Sequence, residues 1–203
     1  MKVVFPNSYG HKLPQKSRVD ALQKEFRFSD EYASFLMTQN GFSFDKLESD
    51  ENKGACLEKS ENTSENHADL RVIYGLDSGD EHYELQDNLK FFIFKEVFFS
   101  IGIDYGGNEL IEILAGKFKG YIASLDHEMY ASSSSIEEFI EEFELDGFDD
   151  MTIDEKADAL ADEDMGLAWL FSPSIDDFMK SCVHCNNDFS GFLVESIASD
   201  NNA

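Results

Sequence analysis

The segment from Phe98 to Glu128 constrains the fold of this chain more than any other stretch. It reads FFSIGIDYGGNELIEILAGKFKGYIASLDHE, and β-branched and aromatic runs alternate with two turns, Tyr105 to Asn108 and Gly116-Lys117. Glycine adopts positive φ at little steric cost, so the chain can reverse tightly at both turns. The pattern predicts a strand meander at the centre of a sheet and not a helix.

Five helical stretches precede and follow this meander. Each carries a start signal, an apolar face or both, and three begin with a capping box. They are Ser17 to Arg27, a helix capped by Ser29 that stops at Asn40-Gly41, a helix capped by Ser135 and Glu138 with Ile136, Phe139, Ile140 and Phe143 on its apolar face, one capped by Thr152 and Glu155, and one capped by Ser174 and Asp177.

Two further strands are predicted before the meander, at Leu70 to Leu76 and at Leu89 to Val97. Phe42 to Asp69 is polar and is predicted to be a long exposed loop, and Asp77 to Asp87 an acidic connector. Because helices flank a run of strands without regular alternation, the fold class is predicted to be α+β. We expect one domain with a mostly antiparallel sheet of five or six strands.

The predicted domain spans residues 1–145 and is followed by an acidic helical extension, residues 146–203. We expect this extension to pack on the domain or to be continuous with it. Within 203 residues, 42% are hydrophobic and 13% aromatic, so the chain can form a packed core. No run approaches the roughly 18 apolar residues of a membrane span, and the first residues do not form a secretory signal, so a cytoplasmic location is expected.

Charge restricts the class of partner most strongly. The chain has 42 Asp and Glu against 16 Lys and Arg, a formal net charge of -26. Between Glu137 and Asp164, 14 acidic residues face one lysine, and this net of -13 in 28 positions is half of the total. Nucleic acid and anionic membranes are therefore not expected as partners, whereas a basic partner would be steered toward the chain. The acidity could equally serve solubility alone.

Two patterns that could bind a metal are incomplete. Cys182 and Cys185 resemble half of a zinc site with His184 nearby, but no second pair of ligands completes it. Asp146 to Glu155 does not fit the spacing of a calcium-binding loop, because its third and sixth positions are not a ligand and a glycine. Neither a metal nor another cofactor is therefore expected.

Asp126-His127-Glu128 is the remaining candidate for catalysis. We expect these residues to lie at a strand end, where adjacent side chains point in alternate directions and cannot converge. A nucleophilic triad would also require a serine or cysteine near the histidine. The sequence contains no catalytic arrangement that meets these tests, so the protein is not expected to be an enzyme.

Several segments, taken in order, resemble the SUKH superfamily, which includes bacterial toxin-immunity proteins and fungal regulators of cell-wall synthesis. They are FSDEYASFLMTQNGF from Phe28, Tyr74-Gly75-Leu76, the Ile101 to Leu114 segment with its Gly-Gly-Asn turn, Gly120-Tyr121, Asp126-His127-Glu128 and the helix from Ser135. The resemblance covers Ser17 to Leu145. It departs from the family at the helix start, where Ser29-Asp30 replaces the usual proline, and at Leu125, where an aromatic residue is frequent.

The resemblance implies a single α+β domain that binds a protein and has no catalytic residues. In bacterial members the partner is typically a toxin, often a nuclease, and the acidity of this chain suits a basic toxin. An intracellular scaffold or regulator is the main alternative, and an enzyme that uses His127 is a third. The oligomeric state stays open.

The partner is predicted to dock on the acidic segment from Glu137 to Asp164, with the first turn of the meander, Tyr105 to Asn108, as the alternative. The solvent side of the helix after Ser135 is free to bind, because its other side is committed to the core. The candidate contact residues are Glu137, Glu138, Glu141, Glu142, Glu144, Asp146, Asp149, Asp150, Tyr105 and Asn108.

Overall fold

One sheet with helices on both faces forms the framework of the protein. The structure is a computed structural model that describes residues 12–43, 55–57 and 69–184. The elements in these ranges are α1 (Lys16–Phe26), α2 (Asp30–Thr38), β1 (Phe42–Ser43), β2 (Ala55–Leu57), β3 (Asp69–Ile73), α3 (Leu85–Leu89), β4 (Phe98–Asp104), β5 (Glu109–Ile113), β6 (Ile122–Leu125), α4 (His127–Tyr130), α5 (Ile136–Glu142), α6 (Ile153–Leu160), β7 (Ala168–Ser172), α7 (Ile175–Ser181) and β8 (Cys182–His184).

The strand order is β7-β6-β5-β4-β3-β2-β8, with β1 paired to β3, and all of these pairings are antiparallel. Five strands, β3 to β7, have four or more residues, and three strands of two or three residues extend the sheet. The predicted α+β class is confirmed. The predicted meander is also present as β4, β5 and β6.

Two apolar layers cover the sheet. On one face lies the first core, in which Val19 of α1, Leu36 of α2 and Phe178 of α7 pack with Leu110 of β5. On the other face lies the second core, which combines side chains from β5, α5 and α6. Because β4 and β5 are covered on both faces, their side chains are almost all buried irrespective of strand alternation.

Asn40 connects α2 to the strand region. Its side chain is buried, its Nδ2 donates to the carbonyl oxygen of Leu76 at 2.9 Å, and its Oδ1 accepts from the Leu76 amide at 2.9 Å. Nδ2 also donates to the carbonyl oxygen of Lys12. Asn40 has a left-handed φ of 54°, a conformation that asparagine tolerates better than most residues. The Asn40-Gly41 pair therefore both ends the helix, as predicted, and fixes the next segment.

A glycine is required at position 102 because the neighbouring backbone lies very close. A Cβ placed on Gly102 would stand 2.2 Å from the carbonyl oxygen of Val72. The pairing of β4 with β5 shifts register between Ser100 and Gly102, and that of β3 with β4 shifts between Leu70 and Val72. Any side chain at this position would therefore push two central strands apart.

The strand predicted for Leu89 to Val97 is wrong, since this segment forms successive turns. The amides of Val97 and Phe98 both donate to the carbonyl oxygen of Phe94. Phe94 is buried in the second core, whereas Phe91 is 87% exposed. Because β3 and β5 already occupy both edges of β4, the sheet offers no inner edge to this aromatic segment.

The predictions for three other segments need correction. Phe42 to Asp69 is not wholly an exposed loop, because Phe42–Ser43 forms buried β1 and Ala55–Leu57 forms β2. Asp126-His127-Glu128 does not end a strand, because Asp126 caps α4 and the other two residues begin that helix. The stretch from Asp146 to His184 is not only helical, because it contributes β7 to the central sheet and β8 beside β2.

Replacing Asn40 with alanine is expected to lower the free energy of unfolding by about 2–4 kcal/mol, since it leaves buried backbone groups of Leu76 without partners. Urea denaturation followed by circular dichroism measures the change. Glu144→Ala is the matched control, because Glu144 also has a left-handed φ, of 51°, but its side chain is exposed. A similar loss in both variants would contradict the role assigned to the Asn40 side chain.

Candidate functional site

Serines at the start of the acidic helix α5 form hydrogen bonds with some of its glutamates. Ser135 caps the helix by accepting from the Glu138 amide at 3.3 Å. Glu138 reaches back one residue further than a capping box does, because its carboxylate accepts from the amide and the hydroxyl of Ser134, both at 2.8 Å. These bonds from Ser134 lower the pKa of Glu138. Glu142 accepts from the hydroxyls of Ser132 and Ser133.

Two other carboxylates of the acidic segment fix α6 against the second turn of the meander. Asp154 accepts from the Gly116 amide at 2.9 Å, and Asp158 accepts from the Lys117 amide at 2.7 Å. Thr152 and Glu155 form the predicted capping box at the start of α6. These contacts are structural, so part of the acidic charge is used to hold the fold.

Five of the other carboxylates line one groove of about 640 Å³. The groove lies where α5 ends and a short 3-10 helix, Phe148–Asp150, begins, and the chain reverses there through the left-handed residues Glu144 and Gly147. Phe148 is buried and anchors this turn in the second core. We call the acidic lining of this groove the acidic groove; it comprises Glu141, Glu144, Asp146, Asp149 and Asp150.

All five carboxylates of the acidic groove are exposed, and none has a hydrogen bond or ion pair with a described residue. The only lysine of the acidic segment, Lys156, lies 5.2 Å from the ring centroid of Phe148. The apolar residues Ile140, Leu145 and Phe148 complete the lining. The arrangement can therefore accept several cationic side chains at once, with an apolar floor beneath them.

The predicted contact residues thus separate into two groups. Glu141, Glu144, Asp146, Asp149 and Asp150 share the acidic groove. Glu137 and Glu138 lie in the first turn of α5, and hydrogen bonds from its own amide and from Ser135 lower the pKa of Glu137. Glu142 is bound by the serines, so these three carboxylates are partly satisfied within the protein.

Tyr105 and Asn108 are the two predicted contacts on the meander turn. Their side chains differ in how accessible they are to a partner. Tyr105 is 43% exposed, with the Arg71 guanidinium 6.0 Å from its ring centroid. Asn108 is instead part of the fold, because its amide and its Nδ2 donate to the Asp104 carboxylate at 2.8 and 3.0 Å. Asn108 Oδ1 accepts from the His127 amide at 3.2 Å and lies 2.9 Å from His127 Nδ1.

These contacts show the structural roles of Asp126, His127 and Glu128. Since Asn108 Nδ2 donates to Asp104, its Oδ1 is the acceptor, and His127 Nδ1 must carry the proton. Asp126 accepts from the Glu128 amide at 3.0 Å as the cap of α4. His127 therefore braces the meander turn against α4, and the three side chains do not converge on one point.

Metal-binding geometry is absent from the described ranges 12–43, 55–57 and 69–184, where no group of three or more His, Cys, Asp or Glu side chains could hold an ion. Cys185, the second cysteine of the predicted half zinc site, lies outside these ranges. The backbones of Cys56 and Cys182 belong to the paired strands β2 and β8, opposite Val183 and Leu57 respectively.

Among the described helices, none has the length and apolar composition that crossing a bilayer requires.

Sequence analysis missed two carboxylates in the sheet. Glu112 is 1% exposed in the first core, where Ser29 donates its amide at 2.6 Å and its hydroxyl at 3.1 Å to the carboxylate. Burial raises the pKa of Glu112 to about 7, against the lowering effect of these bonds. Glu109 accepts from the Ser100 hydroxyl, and burial raises its pKa to about 7 as well.

The sequence positions of Glu109 and Glu112 indicate that their carboxylates are buried. A glutamate inside the central strand of a meander has neighbours on both sides, so its carboxylate is expected to be buried if helices cover both faces. Tyr130 lies near Glu109, and burial together with the Glu109 carboxylate raises the pKa of its hydroxyl. Glu109 and Glu112 lie on opposite faces of β5, because Leu110 and Leu114 belong to the first core and Ile111 and Ile113 to the second, and neither glutamate lines the acidic groove.

Comparison with known proteins gives no relative for this chain: no family model, no curated protein and no solved structure matches it.

Replacing Glu112 with glutamine is expected to reduce the dependence of stability on pH. The folded-state pKa of about 7 lies above the ordinary value of 4.5, so the contribution of Glu112 to stability is greatest below pH 4.5 and falls as the pH rises toward 7. The raised pKa of Glu112 corresponds to a loss of about 3 kcal/mol across this range. Urea midpoints at pH 5.0 and 8.0 should therefore differ less in Glu112→Gln than in the wild type.

The control is Glu141→Gln, which removes an exposed carboxylate from the acidic groove. It is expected to keep the wild-type difference between the two midpoints, apart from a small effect on overall repulsion. If Glu112→Gln also keeps that difference, the buried carboxylate is ionised at pH 5 and the assigned pKa is incorrect.

Proposed function

We propose that this protein is an immunity protein of the SUKH superfamily that binds a cognate bacterial toxin in the cytoplasm and neutralises it. The toxin is expected to be a basic protein, such as a nuclease. The acidic groove is the observation that carries the proposal. It holds five carboxylates without hydrogen-bond or ion-pair partners among the described residues, while Glu138, Glu142, Asp154, Glu155 and Asp158 accept hydrogen bonds within the protein.

Contacts between separated motifs support the proposed family. Residues of the motifs that resemble the SUKH pattern hold distant elements together: Asn40 bonds to Leu76 of the Tyr-Gly-Leu segment, and Asn108 of the Gly-Gly-Asn turn bonds to His127. These residues are far apart in sequence but meet in pairs. The fold thus gives a structural reason for the two members of each pair to occur in the same chain, and this reason is independent of amino-acid composition.

Repulsion among the groove carboxylates also favours a binding role. Like charges that share one open groove repel each other, and solvent only partly screens them at physiological salt. A basic partner would remove this repulsion on binding and would be drawn to the site from a distance. Such exposed charges act mainly on the association rate and its salt dependence.

Co-expression tests the proposed function directly. A toxin gene adjacent to the gene for this protein is expressed in a bacterial host with and without the protein, and growth is measured. We expect the protein to restore growth to at least the level of a catalytically inactive toxin. Equal toxicity in both cultures would exclude the immunity role and would favour the scaffold or regulator alternative.

The docking site has its own test in the double variant Glu141→Lys/Asp149→Lys. Its association rate with the same toxin, measured by surface plasmon resonance across a series of salt concentrations, is expected to fall severalfold with a flatter salt dependence. The matched control, Glu81→Lys/Glu96→Lys, makes the same charge change at two exposed residues away from the groove. Equal salt slopes in the two variants would place the interface elsewhere, with the exposed Tyr105 as the next candidate.

An enzymatic role is tested separately through His127. If purified protein turns over any substrate, His127→Ala should leave the rate unchanged, because His127 is engaged with Asn108. Loss of turnover in this variant would instead support the third alternative, an enzyme that uses His127.

A further inference from the structure

Glu109 is a titratable group at the start of β5 that the proposed function does not use. It faces the second core, because it alternates along the strand with Ile111 and Ile113, which belong to that core. Leu125, which lies opposite Glu109 on β6, belongs to the same core. The carboxyl group of Glu109 is bonded to the Ser100 hydroxyl of β4. The sheet therefore carries an acid inside the layer that packs against the helices.

Hydrogen bonding distinguishes Glu109 from two neighbouring acids, Asp104 of β4 and Asp126, the cap of α4. Asp104 accepts from two N–H groups of the meander turn, and Asp126 accepts from one N–H group of α4. An N–H group can only donate, whereas the Ser100 hydroxyl bonded to Glu109 can also accept. Of the three acids, Glu109 is therefore the one that can take up a proton and keep its hydrogen bond.

Helix α4 is attached to the sheet next to Glu109. The His127 amide and Nδ1 both contact Oδ1 of Asn108, the residue before Glu109, at 3.2 and 2.9 Å. The Tyr130 ring packs edge-on against Phe94, with ring centroids 5.3 Å apart. Because α4 has only four residues, these contacts hold it in place more than its own hydrogen bonds do. A change of charge at Glu109 therefore acts on the place where α4 docks.

The surroundings of Glu109 disfavour its ionised form. Burial raises the pKa of Glu109 to about 7; the bond from the Ser100 hydroxyl opposes this rise, and the Asp104 carboxylate adds to it. Burial and then the Glu109 carboxylate raise the pKa of the Tyr130 hydroxyl. The titratable groups around Glu109 are Asp104 on β4 and, at α4, Asp126, His127 and Tyr130.

We propose that Glu109 is a proton-operated switch: the protonated acid lets α4 dock on the β4–β5 turn, and loss of the proton releases the helix. The ionised carboxylate adds a negative charge near Asp104 and Asp126 in a site with little water, and opening of α4 hydrates that charge.

The direction of the pH dependence follows from the raised pKa of Glu109. Because the docked value of about 7 exceeds the ordinary 4.5, docking is strongest below pH 4.5 and weakens as the pH rises through about 7. Helix α4 connects β6 to α5, so the switch sets how firmly the start of α5 is held. The inference does not depend on the immunity role, because the ligand is a proton and not a protein partner.

Amide hydrogen exchange of the full-length protein tests the switch. It is followed by NMR at pH 5.0 and 8.0 and corrected for the intrinsic exchange rate, and the reporter is the His127 amide, which donates to Asn108 while α4 is docked. If the open state restores the ordinary pKa of 4.5 to Glu109, the opening equilibrium rises about 70-fold between these two pH values. We expect a rise of at least tenfold in the wild type, and no rise would overturn the proposal.

Two variants assign the effect to one carboxyl group. Glu109→Gln places an uncharged group of the same shape at the site, so the corrected exchange of His127 should change by less than about threefold between the two pH values. Glu112→Gln is the matched control, because Glu112 is buried on the same strand but on the opposite face, and it should keep the wild-type rise. A rise that persists in Glu109→Gln would assign the titration to His127 or Asp126. Loss of the rise in the control would assign it to global unfolding, and either result would overturn the proposal.

A direct titration of the wild type decides the question if Glu109→Gln does not fold. The ¹³C chemical shift of the Glu109 carboxyl group and the shift of the His127 amide are followed from pH 4 to pH 9. Both are expected to change with one midpoint near 7. A carboxyl midpoint near 4.5, or an amide midpoint more than one pH unit away from that of the carboxyl group, would contradict the switch.

Discussion

Burial of the β4–β5 hairpin on both faces is the constraint on which the rest of the structure depends. Helices pack above and below these strands, so each polar side chain on them must find a donor inside the protein. The Glu112 carboxylate is bound by Ser29, Glu109 by Ser100, and Asp104 by Asn108. These bonds also join elements: Ser29 caps α2, and Asn108 continues to α4, so satisfying the buried charges positions the helices that cover them.

Acidic residues have two separate roles in this protein. Some accept hydrogen bonds from serines, threonines or turn amides and stabilise helix starts and the α6 contact. Others, gathered in the acidic groove, have no hydrogen-bond donor in the described part of the chain and repel one another. Folding alone gives no reason for the second group to cluster. The basic partner proposed above would supply such a reason, since the repulsion in the free protein would be replaced by attraction in the complex.

Local signals predicted the helix caps and the meander, because these depend on residues close in sequence. Ser29, Ser135, Thr152 and Ser174 all accept the expected amide hydrogen bond. Strand assignment from apolar runs was less secure. The Phe-rich segment before β4 has strand composition, yet it forms turns because both edges of β4 are already paired. By contrast β7, a run of only five residues after an acidic stretch, forms a strand because it pairs with the edge of β6 that β5 does not occupy.

The candidate site shows the same difference between features that local sequence predicts and features that tertiary contacts decide. The sequence alone determined that the acidic charge is concentrated between Glu137 and Asp164, and that the apolar side of α5 faces the core, because periodicity and composition are local properties. Only the tertiary structure decided which carboxylates are bound and which are free, because that depends on which donors the fold brings within hydrogen-bond distance. Asp158 meets Lys117 and Glu112 meets Ser29 across 41 and 83 residues of chain, separations over which sequence pattern carries no information.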